Sequence, residues 1–189
     1  MLKKLFTANR KTFAAAIFAG CMSSAAMAAP VVDEVHFLIP GGAGGGWDGT
    51  ARGTGEALTN AKLVGTASYE NMSGGGGGKA IAHLIETAAQ QQDTLMVNST
   101  PIVIRSLTGV FPFSFRDLTP IAAVIGDYGA FVVRADSEYT TFKDAVDAFL
   151  KNPRSVKVAG GSARGSMDHL VAAMAFKAAG GDPRAVKYV

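Results

Sequence analysis

Three glycine-rich stretches constrain the fold of this chain more than any other feature. They occupy residues 41–46, 73–78 and 160–165, and each lies between an apolar run and a segment of helical periodicity. Glycine allows sharp turns and a close approach of the backbone to a bound group. Strands that alternate with helices are typical of an α/β fold with a mainly parallel sheet, whose strand-to-helix turns gather at one edge. The sequence therefore predicts that the three stretches lie together at that edge.

The alternation of strands and helices continues along the chain. Apolar runs predict strands at residues 35–39, 66–71, 94–98, 121–125, 130–134, 156–159 and 185–189. Helical spacing predicts helices at residues 48–61, 80–88, 101–107, 141–151 and 167–179. Thr141 and Asp144 have the spacing of a capping box, which favours a helix that begins there.

The first 28 residues have the three-part composition of a secretory signal peptide. Four basic residues lie within the first eleven, an apolar core follows at residues 12–22, and residues 26–28 form a small-residue cleavage site. The apolar core is too short for a membrane anchor, which needs about 20 residues. We expect cleavage after residue 28 and a periplasmic location. Lipidation at Cys21 is the alternative, because residues 19–21 resemble a lipobox.

Cleavage would change the charge of the chain. The whole sequence carries 18 basic and 15 acidic residues, a net charge of +3, whereas residues 29–189 carry 14 and 15, a net charge of −1. The basic excess therefore belongs to the leader, and we expect no nucleic-acid partner. Cys21 is the one cysteine of the sequence, so the mature chain would contain neither an internal disulfide nor a thiolate.

The first glycine stretch predicts a turn that binds an anion, because the helix behind it directs free N–H groups and partial positive charge at the turn. Residues 44–49 also match the spacing G-x-G-x-x-G, and Glu70 lies near the end of the second predicted strand. These are ingredients of a dinucleotide site, so a dinucleotide-binding oxidoreductase fragment is an alternative. A run of glycines matches this pattern by chance, however, and Trp47 would crowd a pyrophosphate.

Three side chains near the first stretch are candidates for a role in the site or in its structure. Asp48 either caps the helix or accepts a hydrogen bond from a ligand hydroxyl or a water. Arg52 follows four residues later and is expected to pair with Asp48. Trp47 either forms a wall of the binding site or packs as an aromatic core residue.

Side chains around the third stretch are also candidates. Arg164 is the candidate for direct contact with a carboxylate. The sequence around Ser166 lacks the second glycine of the nucleophile-elbow motif G-x-S-x-G. We therefore expect Ser166 to be a helix N-cap. His169 either faces a ligand or is held structurally. His36, His83 and His169 lie far apart without nearby cysteines, so the sequence predicts no metal site.

Several short segments, taken in order, resemble one known family. They are Ile39-Pro40, Gly44-Gly45-Gly46-Trp47-Asp48, Ala51-Arg52, Glu70-Asn71, residues 74–78, residues 115–120, Thr141-Phe142, Asn152-Pro153, Gly160-Gly161-Ser162, Gly165-Ser166, His169-Leu170 and Lys187-Tyr188. Together they resemble the receptors of tripartite tricarboxylate transporters, the periplasmic solute-binding proteins also called Bug proteins. Members of that family are longer, and Arg164 stands where they commonly have small or apolar residues. Val189 lies in a predicted strand with no turn after it, so we expect a piece of a longer protein; a short protein whose last strand completes the sheet is the alternative.

The resemblance implies a periplasmic-binding-protein-like clamshell with an incomplete second lobe. Lobe 1 would span residues 29–125 and partial lobe 2 residues 126–189. A tri- or dicarboxylate would bind between the first and third stretches, and integral-membrane transporter subunits would receive it. The resemblance also implies a monomer without catalytic activity, cofactor or metal. A truncated receptor that no longer functions is a further alternative. The ligand-binding residues would be Gly44, Gly45, Gly46, Trp47, Asp48, Ser162, Ala163, Arg164, Gly165, Ser166 and His169.

Overall fold

The computed structural model describes residues 29–189, so the expectations for the signal peptide and for Cys21 lie outside the described residues. The chain has a mixed α/β fold that contains a three-stranded sheet and a two-stranded sheet, and all strand pairs are parallel. The predicted class, α/β with mainly parallel strands, is confirmed at this level. No helix within residues 29–189 is long and apolar enough to cross a membrane.

The first part of the chain forms the three-stranded sheet, with the strand order β2-β1-β3. Its elements are β1 (Val32–Ile39), α1 (Gly46–Asn60), β2 (Val64–Asn71), α2 (Gly78–Glu86), β3 (Thr94–Met96) and α3 (Thr100–Leu107). One face of β1 packs on α1, because Phe37 and Ile39 are buried in a cluster with Ala51. Phe37 also stacks on Tyr69 of β2 with 5.5 Å between ring centroids.

The second part forms a two-stranded sheet with its own core. Its elements are α4 (Phe142–Lys151), β4 (Lys157–Val158), α5 (Met167–Ala178) and β5 (Lys187–Tyr188). Phe149 of α4 and Phe176 of α5 are buried, with ring centroids 4.3 Å apart. The predicted capping box at the start of α4 is confirmed, since Thr141 and Asp144 exchange side-chain and backbone hydrogen bonds. Short 3₁₀ helices complete the fold at Gly75–Gly77, Ala88–Gln90, Phe115–Asp117 and Pro183–Ala185.

The two strands predicted at residues 121–125 and 130–134 are wrong. Residues 119–134 have no regular secondary structure and are exposed; Tyr128, for example, is 93% exposed. A strand needs a hydrogen-bonded neighbour, and no strand within residues 29–189 pairs with this segment. The lobe boundary expected between residues 125 and 126 falls inside it and stays a prediction.

Candidate functional site

The structure brings the three glycine-rich turns into contact in a row. The first turn (residues 41–46) follows β1, the second turn (residues 73–78) follows β2, and the third turn (residues 160–165) follows β4. A methyl group on Gly42 would lie 3.9 Å from Oγ of Ser73, and one on Gly76 would lie 3.7 Å from Cβ of Ala163. The second turn therefore adjoins both of the others.

The first turn is held by Asp48, which lies inside α1 rather than at its start because the helix begins at Gly46. Gly44 has a φ of +79°, in the left-handed region that favours glycine, and its N–H donates to Oδ2 of Asp48 at 2.8 Å. Oδ1 of Asp48 accepts from Nε of Arg52 at 3.0 Å and from Nδ2 of Asn71 at 3.1 Å. The same Asn71 nitrogen donates to the carbonyl of Gly41 at 3.0 Å.

These contacts explain the electrostatics of Asp48. The side chain is buried, with 5% exposure. The hydrogen bond from Arg52, followed by those from Gly44 and Asn71, lowers the pKa of Asp48 to about 2. The expected ion pair between Asp48 and Arg52 is present. Because three protein donors already occupy the carboxylate, Asp48 holds the turn, and its contact with a ligand stays a prediction.

Trp47 connects the first turn to α3. Its Nε1 donates to Oγ of Ser99, the residue before α3, at 3.0 Å. The half-buried ring packs against the buried cluster that contains Phe37, Ile39 and Ala51. A methyl group on Gly41 would lie 3.1 Å from Cε3 of the ring. Trp47 is therefore a packed aromatic residue located at the turn.

The third turn is held by two side chains of α5. Gly165 has a φ of +79°, and its N–H donates to Nδ1 of His169 at 3.0 Å. The N–H of Ser162 donates to Oδ2 of Asp168, and Oγ of Ser162 accepts from the N–H of Asp168, both at 2.9 Å. The hydroxyl of Tyr188 donates to the carbonyl of Ser162 at 2.7 Å. His169 is thus a structural acceptor, which requires a neutral ring with its proton on Nε2.

The expectation that the predicted turn residues offer free N–H groups therefore fails for several of them. The N–H groups of Gly44, Gly45, Ser162, Gly165 and Ser166 all donate to acceptors inside the protein. The reason is that each turn closes on its own backbone and on a side chain of the following helix. The N–H groups without an acceptor in the described part of the chain include those of Gly46, Trp47, Gly75, Gly76 and Met167.

Ser166 takes the N-cap position of α5, as predicted, but its side chain makes no capping hydrogen bond. The residue is fully buried, and Oγ has no hydrogen-bond partner among the described residues. The side chain of Arg164 is exposed, and its contact with a carboxylate stays a prediction.

Arg105 was not predicted from the sequence, yet it lies between the second and third turns. Nη1 of Arg105 donates to the carbonyl of Arg164 at 3.5 Å, and Nε is buried without a partner among the described residues. The sequence signal for Arg105 was its position one helical turn after the apolar residue Ile102. The structure shows that Ile102 is fully buried. A cation on the buried face of a short helix indicates a specific environment rather than a solvated face.

A second, polar cleft of about 550 Å³ lies on the three-stranded sheet, and none of its lining residues belongs to a glycine-rich turn; its lining includes Glu34, His36, Ser68, Glu70 and His83. Nδ1 of His36 lies 2.9 Å from Oγ of Ser68, and Nε2 lies 3.6 Å from Oε2 of Glu70. No group of three or more metal-ligating side chains is present in residues 29–189.

Compared with known proteins, the chain matches no family model, and no curated protein matches it either.

Proposed function

We propose that the chain is a solute-binding receptor outside the cytoplasm, which captures a small tri- or dicarboxylate and delivers it to integral-membrane transporter subunits. The composition of residues 1–28 supports export. The ordered motifs that resemble the tricarboxylate-receptor family support the ligand class and the transporter partner. A clamshell with an incomplete second lobe belongs to the same proposal.

The observation that carries the proposal is the set of N–H groups at three adjoining turns that have no acceptor within residues 29–189. Gly46 and Trp47 are the first two residues of the 15-residue helix α1, and Met167 is the first residue of the 12-residue helix α5. The first N–H groups of a helix have no partner within the helix and carry partial positive charge. Gly75 and Gly76 add two N–H groups from the turn between them. Such a surface favours an anion over a neutral solute.

The expected affinity agrees with a receptor. A hydrogen bond to a charged group contributes about 1.5–3 kcal/mol, and a helix N-terminus adds about 0.3–1 kcal/mol. Three or four such contacts, after the costs of association, reach about −8 kcal/mol, which corresponds to a micromolar dissociation constant. One turn alone would not suffice, so the ligand must contact at least two turns.

Ligand titration of the purified protein tests the proposal. Trp47 is the one tryptophan of the sequence and lies at the first turn, so its fluorescence reports binding there. We expect citrate or succinate to change this fluorescence saturably and to raise the melting temperature. Stabilisation by NADH but by no carboxylate would support the dinucleotide-binding alternative and contradict the receptor.

A proline substitution tests the N–H groups directly. Proline is well tolerated at the first position of a helix but has no N–H, and Gly45 has extended backbone angles that suit a residue before proline. We expect Gly46→Pro to weaken carboxylate binding about 10- to 100-fold, the effect of one lost hydrogen bond to a charge. Gly46→Ala keeps the N–H, and its methyl group meets nothing within 4 Å, so it is the matched control.

A further inference from the structure

We infer that Arg105 is a second carboxylate anchor, which selects ligands that carry at least two carboxylates. This inference rests on the proposed function and adds to it a residue that determines specificity. The backbone N–H groups of the turns would hold one carboxylate, and the guanidinium of Arg105 would hold another.

The position of the guanidinium is fixed by the second and third turns. A methyl group on Gly76 would lie 3.2 Å from Nε and 3.6 Å from Cζ of Arg105. On the other side, Nη1 of Arg105 donates to the carbonyl of Arg164, which belongs to the third turn, at 3.5 Å. Glycine at position 76 is therefore what lets the guanidinium lie directly against the backbone of the second turn.

The hydrogen-bonding capacity of Arg105 is mostly unused. A guanidinium has five N–H donors, and within residues 29–189 its one hydrogen bond is the long contact to Arg164. No carboxylate of the described residues lies within 4.0 Å of it. Arg52, Arg134 and Arg184 each pair with an aspartate. The other arginines of the described residues that lack a carboxylate partner are exposed, whereas Arg105 is half-buried. A partly buried cation with unused donors suits the planar, bidentate recognition of a carboxylate from outside the chain.

A second buried side chain beside the third turn, that of Ser166, also lacks a hydrogen-bond partner among the described residues. Among the described residues, two buried side-chain polar atoms have no hydrogen-bond partner, namely Nε of Arg105 and Oγ of Ser166. Ser166 is fully buried and directly follows the third turn. Native proteins pair nearly all such atoms, so each orphaned atom calls for an explanation, and a ligand bound beside the third turn is the one that this inference supplies. Both orphans border the third turn, where the ligand is proposed to bind.

The arrangement of the turns explains why two carboxylates are needed. The second turn contacts the first turn through Ser73 and the third turn through Gly76. Arg105 lies on the Gly76 side, whereas the N-terminus of α1 belongs to the first turn. A ligand that reaches both positions spans the second turn and presents one carboxylate at each end.

The test compares succinate with succinamate, in which an amide replaces one carboxylate at nearly the same size. We expect the wild-type protein to bind succinate about 10- to 100-fold more tightly than succinamate. In Arg105→Gln this preference should fall to about threefold or less. Arg116→Gln is the matched control, because Arg116 is exposed and stacks on Phe115 outside the turns, and it should keep the wild-type preference.

A purely structural role for Arg105 predicts a different result. If Arg105 only ties the turns together through the Arg164 carbonyl, Arg105→Gln weakens both ligands equally and keeps the preference, which would overturn the inference. A wild-type protein that binds both ligands equally would also overturn it. If the wild type binds neither succinate nor citrate, the proposed function itself is overturned. Should Arg105→Gln fail to fold, Arg105→Met decides, because it removes the charge and the donors but keeps a long side chain; an unchanged preference there contradicts the inference.

Discussion

The first and third turns have the same backbone but are held by different side chains. Gly44 and Gly165 share a φ of +79°, and the N–H of each donates to a side chain four residues later. The acceptor is the charged carboxylate of Asp48 in the first turn and the neutral ring of His169 in the third. A glycine with positive φ and the first turn of the following helix are therefore common to both turns. The side chain that accepts the hydrogen bond from the glycine N–H differs between them.

The difference lies in how each acceptor is supported. Asp48 is buried and receives two further hydrogen bonds from Arg52 and Asn71, so it connects the turn to α1 and to β2. His169 packs against Tyr188, with ring centroids 4.9 Å apart. An acceptor that takes part in a network should cost more to remove than an acceptor that receives one hydrogen bond from its turn.

The largest effect should come from removing the first acceptor. Asp48→Ala removes the acceptor that Arg52, Asn71 and the N–H of Gly44 share, and hydrogen bonds to a charged acceptor contribute more than those to a neutral one. His169→Ala removes one hydrogen bond and should lower the free energy of unfolding by about 1 kcal/mol. We expect the urea midpoint to fall more for Asp48→Ala than for His169→Ala, and equal falls would contradict the networked first turn.

Alanine at the two glycines tests the shared backbone. A methyl group at Gly44 or Gly165 meets nothing within 4 Å, so the expected cost is the left-handed backbone alone, about 1–2 kcal/mol at each position. Denaturant unfolding of the two variants should give nearly equal losses. Gly46→Ala lies in a helix and should be neutral or stabilising. Unequal losses would show that the two turns differ in backbone as well as in side chain.

A change of pH tests the charge of Asp48 in the first turn. Because the pKa of folded Asp48 is lowered to about 2 from 3.8, its ionised form stabilises the fold above pH 4, and this stabilisation is lost as the pH falls toward 2. The stability gap between wild type and Asp48→Asn should therefore be constant from pH 7 to 5 and shrink below pH 4. A gap that stays constant down to pH 2.5 would argue against a charged Asp48 in the folded protein.

Local spacing made part of this structure predictable. The capping box of Thr141 with Asp144 and the pair of Asp48 with Arg52 each involve residues three or four apart, which one helical turn brings together. The alternation of strands and helices likewise predicted the class of fold. The two strands predicted in the apolar run at residues 121–134 were wrong. An apolar composition favours a strand, but it does not show whether a neighbouring strand is present to pair with it.

The candidate site was less predictable because tertiary contacts define it. Nothing in the sequence near Gly44 shows that Asn71, 23 residues after Asp48, will help to hold the first turn. Arg105 lies 59 residues from the carbonyl it contacts. Its role depends on how α3 packs between two turns, which periodicity alone does not determine.

Backbone amide spectra of the ¹⁵N-labelled protein during a succinate titration test the central claim most directly. The account predicts saturable shifts concentrated at the N–H groups of Gly46, Trp47, Gly75, Gly76 and Met167, because these donors lack an acceptor in the described part of the chain. Residues of the polar cleft, such as His36 and Ser68, should stay unchanged. Shifts confined to that cleft, or no saturable shift at any turn, would contradict it.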